Sequence, residues 1–432
     1  MAQIVITAIG STGDVHPFIG IGRALVERGH RVVMCTHAPF AALVERHGLG
    51  FVPIGSAQEY EAALASPALW NPRTSFKTLW GLIAPTIRPH FDALERLATD
   101  DTVLVGSLWA LAARLLQERH GTPYVSVQVS PSTLLSAYAP PTHKRLTVPG
   151  WLPLRWRIAL MHAIEDRVLD PAVGPTLNAV RVGLGLPPVG RILGTWLHSP
   201  DGVLCLFPEW FAPPQPDWPA PLHLCGFPLL GEAPDDDAPH DAALEAFLTG
   251  GPPPVVFTAG STRIDDVAYA RVVADTLRRT GHRAIVLGKA ASVSFMASES
   301  DRVLQRPFLP MRALLPRCAA IVHHGGIGTA ALAYAAGIAQ VVTPFAHDQF
   351  DNAARVARSG CGVWMDGQAS GRAVAVALDR LIVNPTVAAQ CARFKQQMAA
   401  APDACVDAAR YIERLAPPAR ARVEADRHAM PA

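Results

Sequence analysis

One design occurs twice in this chain, about 250 residues apart, and it decides the class of fold. The segments IVITAIGST (4–12) and VVFTAGST (255–262) each join a β-branched apolar run to a turn of glycine, serine and threonine. Each is followed by a helical stretch ending in LVERGHRVVM (25–34) or LRRTGHRAIV (277–286), where a glycine able to close the helix precedes another apolar run. A strand, turn, helix and strand repeated in this order predict an α/β chain of two doubly wound, Rossmann-like domains.

The length of the chain and one change in composition give the predicted domain bounds. A chain of 432 residues is too long for one compact core and fits two domains of roughly 200 residues each. The stretch 212–240 is rich in proline and aspartate, which is typical of a linker. We therefore predict an N-terminal domain (1–211), an interdomain linker region (212–250), a C-terminal domain (251–398), a helix returning to the N-terminal domain (399–416) and a flexible tail (417–432).

Composition and charge exclude several classes of protein. Half of the residues are hydrophobic, and the net charge of +2 is too small for a nucleic-acid-binding protein. No Lys or Arg precedes Arg23 and the first apolar run is short, so we expect no secretory signal at the N-terminus. The seven cysteines are scattered without a CxxC pair, which is typical of reduced thiols. We expect a cytoplasmic globular enzyme or binding protein.

The segment HHGGIGTAALAYAAG (323–337) predicts a phosphate-binding turn. An apolar run (319–322) leads into a glycine cluster, and an alanine-rich helix follows. Glycines let the backbone approach a ligand closely, and a helix N-terminus offers free N–H groups and a partial positive charge. A tight strand-to-helix turn would need the same glycines, so the cluster alone leaves both interpretations open. The candidate phosphate-binding residues are His324, Gly325, Gly326, Gly328 and Thr329.

A carboxylate and an amide follow the next predicted strand. In QVVTPFAHDQFDNA (340–353) the strand ends near Pro344, and the loop carries Asp348 and Gln349. Open α/β sheets bind ligands outside the carboxyl ends of their strands, and this pair suits the hydroxyl groups of a sugar. The alternative is that Asp348 only caps the following helix.

The pattern HxGGxGT, Gly337 and PxxxDQxxNA resembles the donor site of GT-B glycosyltransferases of family 1. The resemblance implies two domains that face each other across a cleft, with the acceptor bound by the N-terminal domain and a nucleotide-sugar by the C-terminal domain. It implies that the phosphate-binding residues above, together with Ser261 in the TAGST turn, contact the donor diphosphate. Asp348 and Gln349 would hold the sugar hydroxyls, and Phe308 would lie against the nucleotide base.

The predicted donor and acceptor rest on one residue that differs from the family pattern and on a second resemblance. Where plant members carry a ribose-binding glutamate this chain has Leu332, which leaves room for a deoxyribose donor such as a dTDP-sugar. In STGDVHPFIGIGRAL (11–25) and VSPSTLLSA (129–137), among other segments, the chain is similar to the rhamnosyltransferases of rhamnolipid biosynthesis. That similarity implies dTDP-L-rhamnose as donor, a lipid-like 3-(3-hydroxyalkanoyloxy)alkanoate as acceptor and a mono-rhamnolipid as product. Peripheral association with the inner face of a membrane, and a partner enzyme that supplies the acceptor, would fit such a substrate.

Two adjacent residues are candidates for the general base. The turn GSTGDVHPF (10–18) follows the first strand and therefore lies at the carboxyl edge of its sheet. The resemblance places the base at Asp14, whereas His16 has the more suitable unperturbed pKa, about 6.5, and is the alternative. Asp14 could also cap the helix that begins near Pro17. A base acting directly on the acceptor implies one in-line displacement with inversion at the anomeric carbon.

Neither a metal ion nor another cofactor is expected. N–H groups, His324 and the helix dipole can stabilise the negative charge on a leaving diphosphate. The acidic run DDD (235–237) lies in the proline-rich linker, where a solvated spacer is the better interpretation.

The acceptor site is predicted from the distribution of aromatic residues. Eight of the nine tryptophans lie at or before residue 218. Trp70, Trp80, Ser130 and Leu134 are candidates to line an apolar acceptor site, and packing in the core is the alternative. The segment 143–162 mixes Arg, Lys and Trp as an interfacial helix does, although a helix docked on its own domain would show the same pattern.

Three competing functions remain open at the level of sequence. The first is the same transferase chemistry on a sterol, a macrolide or another lipophilic acceptor. The second is a non-catalytic sugar-nucleotide-binding partner subunit. The third is a dinucleotide-dependent oxidoreductase, against which the turn GSTGD (10–14) lacks the GxGxxG pattern.

Overall fold

A computed structural model describes residues 1–144, 147–229, 241–260, 267–288, 302–365 and 369–416. Three predictions fall outside the described residues: the phosphate contact of Ser261, the DDD run (235–237) and the tail (417–432). Within the described ranges, no helix has both the length and the apolar character needed to cross a membrane.

A parallel sheet of seven strands forms the N-terminal domain. Its strands are β1 (Gln3–Thr7), β2 (Arg31–Thr36), β3 (Gly50–Pro53), β4 (Thr102–Gly106), β5 (Tyr124–Gln128), β6 (Val203–Cys205) and β7 (Leu222–Leu224). They lie in the order β3-β2-β1-β4-β5-β6-β7. Every residue of β1, β4 and β5 is buried, as in parallel sheets covered on both faces. The helices are α1 (Thr12–Glu27), α2 (Ala41–Arg46), α3 (Ala57–Ala65), α4 (Pro67–Trp70), α5 (Ser75–Ile83), α6 (Ile87–Leu97), α7 (Leu111–His120), α8 (Leu154–Ile164) and α9 (Asp170–Gly183).

A second parallel sheet, of six strands, forms the C-terminal domain. Its strands are β8 (Val255–Thr258), β9 (Ala284–Leu287), β10 (Val303–Arg306), β11 (Ala320–His323), β12 (Ala339–Val342) and β13 (Gly362–Trp364). They lie in the order β10-β9-β8-β11-β12-β13. The helices are α10 (Ala242–Thr249), α11 (Val267–Arg279), α12 (Met311–Leu314), α13 (Ile327–Ala336), α14 (Gln349–Ser359), α15 (Gly371–Ile382), α16 (Pro385–Ala400) and α17 (Ala404–Glu413). The two sheets confirm the predicted fold class.

The region predicted as a linker is largely built into the two domains. Residues 222–224 form β7 and pair with β6, so the N-terminal sheet continues past the predicted boundary at residue 211. Leu244 and Phe247 of α10 pack against a C-terminal hydrophobic cluster. The three residues of β7, LHL, are too few to show the periodicity of a strand, and the prolines around them are typical of a loop. The sequence therefore did not predict this strand.

The last described helix belongs in space to the N-terminal domain. Ala408 and Ile412 of α17 are completely buried in the same cluster as the apolar face of α1. Asp407 of α17 lies 2.6 Å from Nε2 of His223 in β7. The chain therefore crosses between the domains a second time after α16.

Candidate active site

The order of the strands places one site in each domain. In the first sheet the chain adds β2 and β3 on one side of β1 and returns to the other side with β4; in the second it does the same around β8 and β11. Ligands bind where the strand order reverses in this way, at the carboxyl ends of the strands. The turn 10–14 follows β1, and the turn 324–326 follows β11. Both predicted sites therefore lie at a switch point.

Two glycines of the phosphate turn are required by the protein itself. Gly325 has φ +94°, and a Cβ there would lie 2.9 Å from Val342 and 3.0 Å from the carbonyl oxygen of Gln349. A Cβ at Gly326 would lie 2.5 Å from Nε2 of His324. These positions support the interpretation as a tight turn, and they also make room for the imidazole.

Gly328 is different, because a Cβ there would meet no atom of the described structure within 4 Å. It is the second residue of α13, where alanine would favour the helix more than glycine does. Gly326, at the N-cap, has no side chain to cap the helix, so the first N–H groups of α13 can bind a ligand. Thr329 belongs to the same first turn. This end of the turn suits an anion that approaches the backbone closely.

Sequence reasoning missed His323, which anchors the turn from below. Its ring is fully buried and accepts a hydrogen bond at Nδ1 from the N–H of Gly325 (3.2 Å), while Nε2 lies 3.1 Å from Oε1 of Gln340. Burial lowers the pKa of His323 to about 3. A neutral imidazole that makes hydrogen bonds at both ring nitrogens holds the turn in place without adding charge. His323 is the last residue of β11, and side chains alternate between the two faces of a sheet. Only this alternation could have distinguished the buried His323 from its neighbour His324 in the sequence.

The sugar loop, defined here as residues 344–349, is shaped by Gln349. Its side-chain oxygen accepts hydrogen bonds from the N–H groups of Phe345 (3.0 Å) and Ala346 (3.1 Å). The carbonyl of the amide predicted to hold sugar hydroxyls is therefore bonded within the loop, and its NH₂ group is the part left to contact a sugar. His347 in this loop has φ +52°, an unusual conformation for a residue other than glycine.

Asp348 is joined to the phosphate turn by Asn352. It occupies the N-cap position of α14 but makes no capping hydrogen bond with its side chain. Its Oδ2 accepts a hydrogen bond from Nδ2 of Asn352 (2.8 Å), and the same Nδ2 donates to the carbonyl of Gly325 (2.9 Å). Burial raises the pKa of Asp348 to about 6, against the opposing effect of Asn352. Asn352 therefore ties this carboxyl to the carbonyl of Gly325 in the phosphate turn.

Asp14 faces this group from the N-terminal domain. Its Oδ2 accepts hydrogen bonds from the N–H (2.8 Å) and the hydroxyl (2.9 Å) of Ser11, the N-cap residue of α1, and so completes a capping box. The helix begins at Thr12, so the prediction that Asp14 caps a helix beginning near Pro17 is wrong. Burial, and then the charge of Asp348, raise the pKa of Asp14. The capping bonds leave Asp14 at the edge of the cleft, where its charge interacts with the opposite domain. Capping and a role as base are compatible.

His16 lies on the same helix, half-buried against Phe40, with ring centroids 6.3 Å apart. Burial, and then the neighbouring His47, lower the pKa of His16. A neutral imidazole at physiological pH can accept a proton, so His16 keeps the chemistry of a base.

Comparison with known proteins gives the family. The model for the N-terminal domain of glycosyltransferase family 28 matches residues 4–139, and that for the C-terminal domain of erythromycin biosynthesis protein CIII-like proteins matches residues 271–413. Glycosyltransferase GtfC of Amycolatopsis orientalis is 31% identical over 393 residues, covering 87% of this chain and 90% of that protein. The chain belongs to the GT-B glycosyltransferases.

Other relatives agree with this assignment. O-mycaminosyltylonolide 6-deoxyallosyltransferase of Streptomyces fradiae is 29% identical over 416 residues, which cover 92% of this chain and 94% of that protein. The crystal structure of the kitacinnamycin glycosyltransferase has a TM-score of 0.74 at 22% identity, covering 96% of this chain and 99% of that one. Glycosyltransferase VinC, solved in complex with dTDP, has a TM-score of 0.68 at 21% identity, with the same coverage. The chain is a nucleotide-sugar glycosyltransferase.

A cluster of rings beside Asp14 was not predicted from the sequence. His37 accepts a hydrogen bond at Nε2 from the N–H of Gly10 (3.3 Å), and its Nδ1 donates to the carbonyl of Ile54 (3.3 Å). Tyr60 packs on this imidazole, with ring centroids 4.6 Å apart. Burial, and then the charge of Asp14, raise the pKa of Tyr60 to about 12. The transferase thus has an aromatic wall next to its candidate base.

The structure separates the four predicted acceptor residues. Trp70 meets the sugar loop, with its ring 5.4 Å from that of His347. Trp80 is buried in the N-terminal core, and Leu134, 1% exposed, is buried in the core that joins the domains, so neither lines an open channel. Ser130 is buried and donates to Oδ1 of Asn352 at 3.4 Å. Apolar side chains were predicted here by type alone, and type does not distinguish a channel from a core.

The remaining predictions concern the base-binding residue and metals. Phe308 is 61% exposed, so a face of its ring is open to a nucleotide base. All seven cysteines are free and buried. In the part of the chain that the structure describes, no three His, Cys, Asp or Glu residues are grouped as metal ligands.

Proposed function

We propose that this transferase moves a hexose from a dTDP-sugar to a hydroxyl group of a lipophilic acceptor, without a metal ion and with inversion at the anomeric carbon. The observation that carries the proposal is the interaction of two carboxyls across the cleft. Asp14 belongs to the N-terminal domain and Asp348 to the C-terminal domain, and burial, followed by the charge of Asp348, raises the pKa of Asp14. The ring of Trp70 in the N-terminal domain also lies 5.4 Å from that of His347, the neighbour of Asp348. A base and a sugar-binding group therefore face the same space.

The chemistry follows from that arrangement. The carboxylate of Asp14 removes the proton from the acceptor hydroxyl while the oxygen of that hydroxyl bonds to the anomeric carbon. The bond from that carbon to the diphosphate breaks on the opposite face, so the configuration inverts. His324 and the N–H groups at the start of α13 stabilise the charge on the leaving diphosphate. Asp348 and the amide of Gln349 hold the sugar hydroxyls.

A thymidine donor is supported by the position of Leu332. This residue is partly buried and packs against the hydrophobic cluster around Ile321 and Leu315, so its side chain offers a ribose 2′-hydroxyl no partner. The related VinC structure contains dTDP. Within this donor class we propose L-rhamnose, from the similarity to rhamnolipid rhamnosyltransferases.

The acceptor class is supported by the ring cluster of His37, Tyr60 and Phe40 beside the base. Such a wall suits an apolar body that carries one hydroxyl group. The Streptomyces relative is named for a macrolide-type acceptor, tylonolide, which fits the same class. Within it, a 3-(3-hydroxyalkanoyloxy)alkanoate is the first substrate to test, and a macrolide aglycone or a sterol is the alternative.

Mass spectrometry of products tests these proposals. The purified chain would be incubated with dTDP-L-rhamnose or UDP-glucose, in each case with a hydroxyalkanoate dimer, a macrolide aglycone or a sterol. We expect a rhamnosylated hydroxyalkanoate from the dTDP donor. Products from a macrolide or sterol alone would favour the alternative acceptor, and a preference for UDP-glucose would exclude the thymidine proposal.

Replacement of Asp14 tests the mechanism. Asp14→Asn keeps an oxygen for the Ser11 hydrogen bonds but cannot accept a proton, so kcat should fall by about 10²- to 10⁴-fold. The Kd for dTDP should change by less than about threefold, because the diphosphate binds the other domain. Asp379→Asn, a side chain that is 58% exposed, is the matched control. If Asp14→Asn spared turnover, His16 would replace Asp14 as the base. If dTDP bound but no pair of substrates gave product, the proposed donor and acceptor would be wrong.

A further inference from the structure

A cavity lies between the two domains, at the end of α14 that is remote from the sugar loop. Its volume is about 640 Å³, within the usual range of small-molecule sites. On the N-terminal side it is lined by Tyr138–Pro140, by Arg157 of α8 and by the segment from Trp210 to Trp218. On the C-terminal side it is lined by α14 and by α16. Since Asp348 lies at the N-terminal end of α14 and the cavity contacts the C-terminal half of that helix, this space is separate from the donor site.

The charged side chains that line the cavity are all positive. Four arginines line the cavity, Arg157, Arg355, Arg358 and Arg393, and none of its lining residues is acidic. Arg355 is already committed, because it pairs with Asp351 at 2.6 Å and donates to the carbonyl of Phe211 at 3.0 Å. Arg358 and Arg393 are exposed and form no ion pair with any residue in the described ranges. Two guanidinium groups are therefore available to an anion.

Two further donors are buried without a partner. In the part of the chain that the structure describes, neither Nε of Arg157 nor Nε1 of Trp218 has a hydrogen-bond acceptor, and both residues line the cavity. A buried donor that makes no hydrogen bond costs about 1–3 kcal/mol, so native proteins rarely keep one unless something else satisfies it. These donors come from the N-terminal domain, whereas Arg358 and Arg393 come from the C-terminal domain.

The rest of the wall is apolar. Trp210, Phe211 and Phe394 line the cavity, and the ring of Trp210 packs edge to face on Phe211 and at a tilt on Phe394. Such a wall is uneven, which suits a flexible chain better than a flat ring system. The α8 helix also exposes large apolar side chains beside Arg157: Trp156 is 57% exposed and Leu160 39%. A bare anion would leave all of this surface in contact with water.

We propose that this cavity is a second ligand site, which binds one anionic amphiphile, a carboxylate carried on an alkyl chain. The head group meets Arg358 and Arg393 from one domain and the N–H groups of Arg157 and Trp218 from the other, while the chain lies along the aromatic wall. A ligand held in this way links the domains at the opposite end of α14 from Asp348. The proposal does not depend on the transferase reaction.

Isothermal titration of the full chain with dodecanoate, below its micelle concentration, tests the site. We expect saturable binding of one molecule per chain. Dodecanol has the chain without the charge, inorganic phosphate has the charge without the chain, and benzoate offers a carboxylate on an aromatic ring. Each of these should bind at least about tenfold more weakly, because charged hydrogen bonds and chain burial are both required. Equal binding of any of the three would overturn the proposal.

Variants locate the binding in the cavity. The double change Arg358→Met and Arg393→Met should weaken dodecanoate binding at least about tenfold. Trp218→Phe, which removes the N–H donor and leaves a smaller aromatic ring, should weaken it about threefold to tenfold. Arg271→Met with Arg372→Met, on exposed positions of α11 and α15, is the matched control and should change the Kd less than about twofold. An unchanged Kd for dTDP would show that each variant is folded. If dodecanoate bound all variants alike, it would bind elsewhere and the site would be rejected.

Discussion

At the scale of single residues, Asp348 shows how a functional carboxyl acts against stability. It is half-buried, one oxygen is held by Asn352, and burial raises its pKa to about 6. An aspartate in an unfolded chain has a pKa of about 3.9. Above pH 6 the native state therefore holds a charge that the unfolded state holds more easily, and stability falls as pH rises from about 4 to 6.

Replacing Asp348 by asparagine should thus stabilise the protein in a pH-dependent way. At pH 7 we expect the free energy of unfolding of Asp348→Asn to rise by on the order of 2 kcal/mol, since one pKa unit corresponds to about 1.36 kcal/mol and some water reaches the cleft. The gain should shrink towards zero by about pH 4, below which the carboxyl is protonated in both the native and the unfolded state. Loss of charged contacts with the sugar should lower kcat/KM about 10- to 100-fold.

Urea denaturation between pH 4 and pH 8 measures this gain. Asp166→Asn, whose side chain is 53% exposed, provides the comparison and should change stability by less than about 0.5 kcal/mol at any pH. A gain that did not vary with pH would mean that the burial of the charge is not its cause.

At the scale of elements, the sequence was informative wherever the determinants are local. The repeated strand, turn and helix was identified because β1 and β8 each bring their turn with them in sequence. Gly29 has φ +89°, as a glycine that closes a helix requires, whereas Gly281 is not in the left-handed region. The second helix therefore ends without the predicted cap, although the strand after it forms as predicted. A capping residue predicted from the local sequence can be absent where tertiary packing ends the helix instead.

Elements brought together by the fold were beyond sequence reasoning. His37 follows β2, Tyr60 lies in α3 and Asp14 lies in α1, so no spacing in the sequence relates them. Their contacts depend on the order of the strands, which is a non-local property. The same holds for Asn352, whose hydrogen bonds to Gly325 and Asp348 join two loops that the sequence presented as separate signals.

The phosphate turn allows the role of a glycine to be separated from the stability of its helix. Gly328→Ala places a methyl group in open space and replaces a poor helix former, so the free energy of unfolding should rise by about 0.5 kcal/mol. If the glycine exists to let a diphosphate approach the backbone, the same change should weaken dTDP binding at least about tenfold. Titration calorimetry and urea denaturation measure the two effects.

Gly81→Ala is the matched control, because Gly81 also lies inside a helix, α5, with open space around its Cβ. It should stabilise the protein by a similar amount and leave dTDP binding unchanged. Unaltered affinity in the Gly328 variant would remove the argument that this glycine serves a ligand.

At the scale of the whole molecule, the two domains share one hydrophobic core. A single cluster of buried residues contains Phe207 and Phe211 from the N-terminal side and Tyr334 and Phe394 from the C-terminal side. This hydrophobic cluster joins the domains away from the site, whereas the hydrogen bond from Ser130 to Asn352 joins them near the site. Because α17 returns to α1, the N-terminal domain is also complete only when the whole chain has folded. The predicted boundaries described two units in sequence, whereas one hydrophobic cluster contains residues of both domains.

Trp210 is the residue on which cooperative unfolding of the two domains should depend most. Its ring lies 4.5 Å from that of Phe394 on α16 and 5.1 Å from that of Tyr334 on α13, and it also meets Phe211 and Phe227. Removing a large ring from such a position destabilises a protein by about 3 kcal/mol. Since the lost contacts join the domains, Trp210→Ala should divide one calorimetric unfolding transition into two, with the first at a lower temperature. Trp151→Ala, at a side chain that is 81% exposed, should unfold as the unmodified protein does. A single transition at an unchanged Tm in the Trp210 variant would show that the domains are coupled by the polar contacts near the site, and that the shared core is packing without consequence for cooperativity.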